Sequence, residues 1–230
     1  MRVFPGPEEA ARGCALEIAG RLKEAVRERG RASLAVSGGS TPAMMFAELA
    51  GMGVDWSVVD LFWVDERAVG PEDQESNYGM TRRCLIDPAG IPSENVHRMM
   101  GEWDAVEAAS AYSEELRAYF GGGMPRFDVV ACGMGDDGHT ASLFPGDGLV
   151  EDRRGLCAGV WVEAKKQWRI TLLPAVLVNA GWLCVLACGA GKAAAMRRVW
   201  REEGPAVDVP ARLLRGGEWF VDEAAAAFQL

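Results

Sequence analysis

Asp137 and His139 form the residue pair in this sequence that is best suited to acid–base chemistry. They lie in the stretch FDVVACGMGDDGHTASLFP, which runs from Phe127 to Pro145. Its first six residues form the short, mainly apolar run expected of a buried strand, and a glycine-rich loop follows. An aspartate two residues before a histidine can orient the imidazole in a tight turn, so the pair can act as a general base. Open α/β sheets bind ligands at such loops, beyond the carboxyl ends of their strands.

A covalent nucleophile or a metal site is not predicted beside this pair. Ser142 lies too far along the turn to act as a triad serine, and the sequence has no G-x-S-x-G motif. The other histidine, His97, stands beside Arg98 in a polar segment without an evident partner. Two histidines without clustered ligand spacing do not predict a catalytic metal. We therefore expect a general base without a covalent nucleophile.

The loop SGGSTP, residues 37–42, has the composition of a phosphate-binding turn. It precedes a helix that we predict from Ala43 to Ala50, with Ser40 or Thr41 as its cap. Free N–H groups at the start of a helix suit a phosphate. A simple capped turn explains the same residues equally well.

A second glycine loop, GAGK at residues 189–192, opens a helix predicted from Ala193 to Trp200. Lys192 at the start of that helix suits one phosphate, although a lysine in such a place is more often only solvated. The loop does not complete an NTP-binding motif, since Leu186 replaces its first glycine and Ala193 offers no hydroxyl for magnesium. Residues 133–138 match G-x-G-x-x-G formally, but their two aspartates would repel a pyrophosphate. We therefore predict no nucleotide cofactor.

Three charged residues, Asp65, Glu66 and Arg67, directly follow a strand that otherwise reads as core. Arg67 could serve a structural role by pairing with one of its acidic neighbours. Charges concentrated at the end of a core strand are more typical of a binding site.

Alternating strands and helices predict an α/β fold with a mainly parallel sheet. We expect strands at 32–36, 58–64, 127–132 and 182–188, shorter ones at 95–99, 160–163 and 218–221, and helices at 8–29, 79–85, 103–120 and 174–180. Right-handed crossovers place the carboxyl ends of parallel strands at one edge of the sheet. The loops at 37–41, 65–67, 133–139 and 189–192 should therefore converge. Nothing marks a second domain, so residues 1–230 are expected to form one.

Composition excludes several classes of protein. The 230 residues are 49% hydrophobic and carry a net charge of −9, which argues against extended disorder and against binding to nucleic acids or anionic membranes. A run of 22 uncharged residues, 170–191, is long enough to span a bilayer. Because Pro174, Asn179 and Gly181 interrupt it, a short helix followed by a buried strand is the better interpretation.

The six cysteines form no CxxC pair and lie mostly in apolar runs, so we expect reduced thiols. The first residues, MRVFPGPEEAARG, lack the apolar core of a signal peptide. Both observations favour a cytoplasmic protein.

A series of motifs, taken together, resembles the 6-phosphogluconolactonase family, within the larger glucosamine-6-phosphate isomerase/6-phosphogluconolactonase superfamily. The long central motif is specific, whereas the SGGSTP turn alone would not be. The resemblance runs from about residue 30 to the end of the chain. The motifs are SGGSTP at 37–42, DER at 65–67, SNY at 76–78, GMGDDGHTASLFP at 133–145, RITL at 169–172, GKA at 191–193 and GEWFVD at 217–222.

The resemblance implies a Rossmann-like α/β fold, with helices on both faces of a mainly parallel sheet. It implies the hydrolysis of 6-phospho-D-glucono-1,5-lactone to 6-phosphogluconate in the pentose phosphate pathway, without a cofactor. His139 would be the base that activates water, and Asp137 would orient it. The implied substrate-binding residues are Gly38, Gly39, Ser40, Asp65, Arg67, Arg169 and Lys192. Lys165 and Lys166 depart from the family's pattern, and which of them faces the site is open.

Two other functions remain as alternatives, namely a glucosamine-6-phosphate isomerase/deaminase and a non-catalytic sugar-phosphate sensor. The related deaminases use an acidic residue five positions after the motif histidine, and here that position is Phe144. The sensor is disfavoured because no basic helix-turn-helix segment is present and the Asp137/His139 pair is intact. We expect a monomer or a weak homo-oligomer whose partner is a small sugar-phosphate lactone.

Overall fold

The computed structural model describes residues 1–201 and 204–229. Its strands are β1 (Arg2–Phe4), β2 (Ala32–Val36), β3 (Val59–Trp63), β4 (Asp65–Arg67), β5 (Val96–His97), β6 (Val129–Gly133), β7 (Cys157–Val162), β8 (Gln167–Leu172), β9 (Trp182–Ala187) and β10 (Glu218–Asp222). Its α-helices are α1 (Pro7–Arg29), α2 (Ser40–Ala50), α3 (Asn77–Thr81), α4 (Asp87–Ala89), α5 (Ala105–Tyr119), α6 (Pro174–Val178), α7 (Ala193–Trp200) and α8 (Glu223–Ala226). A π-helical turn, Arg82–Ile86, joins α3 to α4.

Within this part of the chain, seven parallel strands form the central sheet, in the order β1-β10-β9-β6-β2-β3-β5. Every residue of β2 and β3 is buried. Such uninterrupted burial is typical of parallel strands whose two faces are both covered by helices. Helix α1 packs against α2, β2, β9 and β10, and α5 packs against β7 and β8. The predicted α/β, Rossmann-like fold is therefore confirmed.

The strand order creates a crevice between β2 and β6. From β2 the chain continues outward to β3 and β5, whereas from β6 it continues outward in the opposite direction to β9 and β10. In open α/β sheets the ligand site lies at such a switch point, beyond the carboxyl ends of the strands. The glycine loops after β2, β6 and β9 therefore meet at the site, as their sequence positions predicted.

A second, antiparallel sheet, in the order β4-β8-β7, was not predicted. The sequence predicted a strand at 160–163 only, but β7 and β8 form a hairpin whose turn contains Lys166 with φ +48°. The three charged residues after β3 are themselves a strand, β4, which pairs with β8. In this register Arg67 lies opposite Arg169. Local patterns missed this sheet because β4 and β8 come from distant parts of the chain.

The start of α2 also differs from the prediction. The helix begins at Ser40, not Ala43, and its N-cap is Gly39, so neither Ser40 nor Thr41 caps it with a side chain. Gly39 has φ +121°, which disfavours any residue with a Cβ. As at the start of any helix, the first N–H groups of α2 have no acceptor within the helix, and α2 begins shortly after the carboxyl end of β2.

The uncharged run at 170–191 folds as the second half of β8, then α6, then β9. None of the helices in the described residues is both long and apolar enough to cross a bilayer. All six cysteines are free thiols, and the sulfur atoms of Cys14 and Cys184 lie 3.9 Å apart in the core.

Candidate active site

A cleft of about 260 Å³ opens at the carboxyl ends of β2, β6 and β9, and residues of β4 and β8 complete its wall. All of the predicted site residues line this cleft except Asp137, which lies behind His139. The lining residues predicted from the sequence are Gly38, Gly39, Ser40, Asp65, Arg67, His139, Arg169 and Lys192.

His139 and Asp137 form a hydrogen-bonded pair. The imidazole Nδ1 lies 2.6 Å from Oδ1 of Asp137, and the same oxygen accepts a 3.0 Å bond from the His139 backbone N–H. Burial would raise the pKa of Asp137, but these two hydrogen bonds outweigh it and lower that pKa to about 2. Because the ionised carboxylate can only accept a hydrogen bond, Nδ1 is the donor in this pair, and in the neutral imidazole Nε2 is then the nitrogen that accepts a proton.

Two glycines explain why the loop can place the imidazole there. A Cβ on Gly135 would overlap the His139 ring, so the ring packs directly on the bare backbone at that position. Gly138 has φ +88°, and its carbonyl accepts a 2.9 Å bond from the N–H of Ala211. The Gly135 N–H closes the turn with a 2.8 Å bond to the His139 carbonyl. The loop is thus tied to itself and to the C-terminal part of the chain.

The residues that follow His139 anchor it to the rest of the site. Thr140 Oγ1 donates to the Gly133 carbonyl at 2.8 Å, and Ala141 adopts a left-handed conformation with φ +48°. Ser142 is fully buried, and its N–H donates to Thr171 Oγ1 on β8 at 3.1 Å. These contacts hold the motif between β6 and the second sheet.

Phe144 stacks on the imidazole of His139. Their ring centroids are 4.3 Å apart and the planes are inclined by 24°. The guanidinium carbon of Arg169 lies 5.8 Å from the centroid of the same phenyl ring. The phenyl ring therefore limits the rotation of the catalytic candidate and contributes no acid or base of its own.

Arg67 and Arg169 supply positive charge to the cleft. Arg169 is 8% exposed, and burial lowers its pKa although Asp65 nearby favours the charged form. The Nε atoms of both arginines are buried and have no hydrogen-bond partner among the described residues. Buried donors are nearly always paired, so these two are candidates for pairing with a bound anion or carbonyl.

Glu66 organises the segment that holds Arg67. It is 2% exposed, and its carboxylate accepts backbone N–H bonds from Arg67, Asn77 and Tyr78 and a bond from the Ser76 hydroxyl. Burial raises the pKa of Glu66 despite these bonds. The Arg67 guanidinium donates to the backbone carbonyl of Glu75. Neither predicted structural ion pair of Arg67, with Asp65 or with Glu66, is formed by its guanidinium.

Asn77 is a cleft residue that the sequence did not single out as one, although SNY was among its motifs. A Cβ on Gly38 would overlap the Asn77 carboxamide, which explains the glycine at position 38. The amide Nδ2 of Asn77 donates to the carbonyl of Asp65 at 2.9 Å. Asn77 thereby joins the glycine turn after β2 to β4.

Lys192 is presented by the loop after β9. The Gly189 N–H donates to both carboxylate oxygens of Asp222, at 2.9 and 3.0 Å, which fixes the start of this loop. The Lys192 ammonium lies 2.7 Å from Oδ1 of Asp136 and its side chain is about a quarter exposed, at 23%. A cation therefore lines the same cleft as the glycine turn of residues 37–42.

Other candidates lie outside the cleft. His97, for which the sequence offered no partner, is hydrogen-bonded through Nδ1 to Glu115 at 2.7 Å and through Nε2 to Asp60 at 3.2 Å. Lys165 and Lys166 lie at the turn between β7 and β8. In the described part of the chain no group of three or more metal-ligating side chains converges.

Comparisons with known proteins identify the family of this chain. The family model described as glucosamine-6-phosphate isomerases/6-phosphogluconolactonase matches residues 5–221. A 6-phosphogluconolactonase of Synechocystis sp. is 34% identical, over 89% of this chain and 88% of its own. A 6-phosphogluconolactonase of Rattus norvegicus is also 34% identical, over 98% of this chain and 92% of its own.

A solved structure has the same fold over nearly the whole chain. It is 6-phosphogluconolactonase from Trypanosoma brucei, which superimposes with a TM-score of 0.87 at 29% identity and covers 98% of this chain and 97% of its own. The match of the family model to nearly the whole chain shows that this protein belongs to the glucosamine-6-phosphate isomerase/6-phosphogluconolactonase family.

Proposed function

We propose that this protein hydrolyses 6-phospho-D-glucono-1,5-lactone to 6-phospho-D-gluconate, a step of the pentose phosphate pathway, without a cofactor. The observation that carries the proposal is the 2.6 Å contact between His139 and Asp137 in a cleft that also holds Arg67, Arg169 and Lys192. A positioned base suits the hydrolysis of an ester, and the cations suit an anionic substrate. Relatives named 6-phosphogluconolactonase support the same reaction.

His139 acts as the general base in this mechanism. Asp137 holds the Nδ1 proton, so Nε2 accepts a proton from a water molecule as the water oxygen attacks C1 of the lactone. The tetrahedral oxyanion then collapses, the C1–O5 bond breaks, and the imidazolium returns its proton to O5. One positioned base typically contributes ~10²–10⁴-fold to such a rate. That is sufficient for a δ-lactone, which is an activated ester.

Arg67 and Arg169 stabilise the oxyanion. Their buried Nε donors are unused, and the two side chains emerge from paired positions of β4 and β8. Donors that are already fixed before the reaction typically contribute on the order of 10²–10³-fold. Asp65, whose carboxylate contacts Ser142 and Asn77, favours the charged form of Arg169.

Lys192 and the turn at Gly38, Gly39 and Ser40 bind the 6-phosphate. The N–H groups at the start of α2 lack helical acceptors, and Lys192 lines the same cleft as this turn. Binding of the phosphate, which is remote from C1, orients the lactone for attack.

Phe144 argues against the deaminase alternative. The ring of glucosamine 6-phosphate must first be opened by a proton relay that unmasks C1, and a proton must then be shuttled between C1 and C2. At the place of the acidic residue this chain has a phenyl ring stacked on His139. A lactone needs no such relay, because its carbonyl is already accessible to water. The sensor alternative gains no support from the described residues.

We further propose that residues 1–230 act as a single domain in the cytoplasm, as a monomer or weak homo-oligomer that binds neither nucleic acid nor membrane. One continuous hydrophobic core supports the single domain. The net charge of −9 disfavours binding to nucleic acids and to anionic membranes.

A coupled assay on freshly generated 6-phosphogluconolactone tests the activity. Product is followed through 6-phosphogluconate oxidation, and the spontaneous hydrolysis rate is subtracted. We expect enzyme-dependent turnover, and we expect no release of ammonia or fructose 6-phosphate when glucosamine 6-phosphate is the substrate. Deaminase turnover of about 1 s⁻¹ or more, a rate typical of enzymes, would overturn the proposal.

A further inference from the structure

The ammonium of Lys192 already forms an ion pair with an acidic residue of the protein. The ammonium lies 2.7 Å from Oδ1 of Asp136, the residue directly before Asp137. Lys192 lines the cleft, whereas Asp136 is not among the lining residues and its side chain is 70% exposed. Within residues 1–201 and 204–229, this is the one ion pair that Lys192 forms.

The position of the Asp136 carboxylate depends on Gly191. A Cβ at position 191 would lie only 3.0 to 3.4 Å from the carboxyl atoms of Asp136. The carboxylate therefore rests on the bare backbone just before Lys192. Contact with both Gly191 and Lys192 places this negative charge where an incoming phosphate would approach the ammonium.

We propose that Asp136 competes with the substrate's phosphate for Lys192 and thereby sets the phosphate affinity of the site. This inference rests on the proposed function, in which Lys192 binds the 6-phosphate. In the free enzyme the carboxylate neutralises the ammonium. The phosphate must displace the carboxylate or share the ammonium with it, and a dianion close to a carboxylate is repelled.

The competition affects the product as much as the substrate. Both 6-phosphogluconolactone and 6-phosphogluconate carry the same phosphate, so Asp136 weakens the binding of each. Weaker product binding speeds release, which limits turnover in many enzymes. Because an exposed ion pair contributes little free energy, the effect on affinity should be about 2- to 5-fold.

The test is Asp136→Asn, which keeps the size of the side chain and removes its charge. The inhibition constants of inorganic phosphate and of 6-phosphogluconate are measured at low and high ionic strength in a lactonase assay that follows acid release at constant pH, since the coupled assay would consume added 6-phosphogluconate. We expect both constants to fall about 2- to 5-fold at low salt, with a smaller change at high salt, since salt screens exposed charges. Glu151→Gln, which removes one exposed negative charge away from the cleft, is the control for net charge.

A double-mutant cycle links the effect to Lys192. In the Lys192→Ala background, Asp136→Asn should lower the phosphate inhibition constant by a smaller factor, because the contested cation is gone and only the direct repulsion between carboxylate and phosphate remains. An equal factor in both backgrounds would overturn the competition for Lys192. An unchanged or raised inhibition constant in the single Asp136→Asn variant would overturn the inference, and a raised one would mean that Asp136 orients Lys192. If Lys192→Ala alone does not weaken phosphate binding, the phosphate role in the proposed function fails first, and that single variant identifies the failure.

Discussion

The hydroxyl of Ser142 donates a 2.7 Å hydrogen bond to Oδ2 of Asp65 across a sequence separation of 77 residues. Both residues are buried, with Ser142 fully inaccessible and Asp65 5% exposed. The bond ties the segment just after His139 to β4, the strand that ends in Arg67. The candidate base and one of the candidate oxyanion donors are therefore held in register by a serine that takes no chemical part in the proposed reaction.

Replacing Ser142 with Ala should lower stability by about 1–3 kcal/mol, because the buried Asp65 carboxylate loses a donor. Urea denaturation at pH 7 measures this loss. Ser110→Ala, an exposed serine of α5, is the matched control and should change stability little. A Ser142→Ala variant as stable as the wild type would show that the bond is dispensable.

Replacing His139 with Ala should lower kcat by ~10²–10⁴ and leave phosphate affinity nearly unchanged, because the base is lost but the cations remain. The measurement is the lactonase rate corrected for spontaneous hydrolysis, with phosphate inhibition recorded on the same preparation. Asp137→Asn should show a smaller loss, since the imidazole stays but its orientation and basicity suffer. A His139→Ala rate within a few-fold of wild type would remove His139 from the mechanism.

Replacing Lys192 with Ala should weaken binding of the phosphorylated lactone by ~1.5–3 kcal/mol, the range for a hydrogen bond to a charged group. Unphosphorylated glucono-1,5-lactone is the comparison substrate, and its kcat/KM should change much less. Lys165→Ala, a lysine at the β7–β8 turn, serves as the control for loss of one positive charge. Equal impairment with both lactones would mean that Lys192 does not recognise the phosphate.

His97 should make stability depend on pH above neutrality. Burial would lower its pKa, but hydrogen bonds to Glu115 and Asp60 outweigh this and raise it. Because the pKa of His97 is higher in the folded than in the unfolded protein, protonated His97 stabilises the fold. This stabilisation is fully present below the unfolded pKa of about 6.5 and is lost as the pH rises through the folded pKa. Arg31 and Tyr119, which also face Asp60, keep their protons above neutrality. A hydrogen bond to Asp60 raises the pKa of Arg31, and burial raises the pKa of Tyr119.

The measurement is the free energy of unfolding in urea at a series of pH values from about 6 to 9. His97→Gln should remove this part of the pH dependence. A wild-type curve that stays flat or rises through this range would contradict the assignment, as would a variant with the same slope as wild type.

The parallel sheet and its glycine loops could be predicted from the sequence because they depend on local patterns. Short apolar runs such as 32–36 mark buried strands, and a parallel topology directs the loops that follow them to one edge. The Asp137–His139 contact spans two residues in a tight turn, so its geometry is also local. The central motif carried enough of this pattern for its family to be identified.

Contacts between distant segments were decided only by the tertiary structure. The pairing of β4 with β8 places Arg67 opposite Arg169, and no periodicity within either strand encodes that register. His97 likewise acquires Asp60 and Glu115 as partners only when β3, β5 and α5 come together.

The same reason separates the predicted from the unpredicted parts of the site. The types of the residues were visible in the sequence. The contact of the Asp136 carboxylate with Lys192 and the stacking of the Phe144 ring on His139 depend on how the loops pack. A local pattern reports which backbone conformation a segment favours, whereas the charges and rings that a side chain meets depend on segments elsewhere in the chain. The sequence by itself therefore determined the fold class, the family and the candidate base, and tertiary packing decided the surroundings in which that base and Lys192 act.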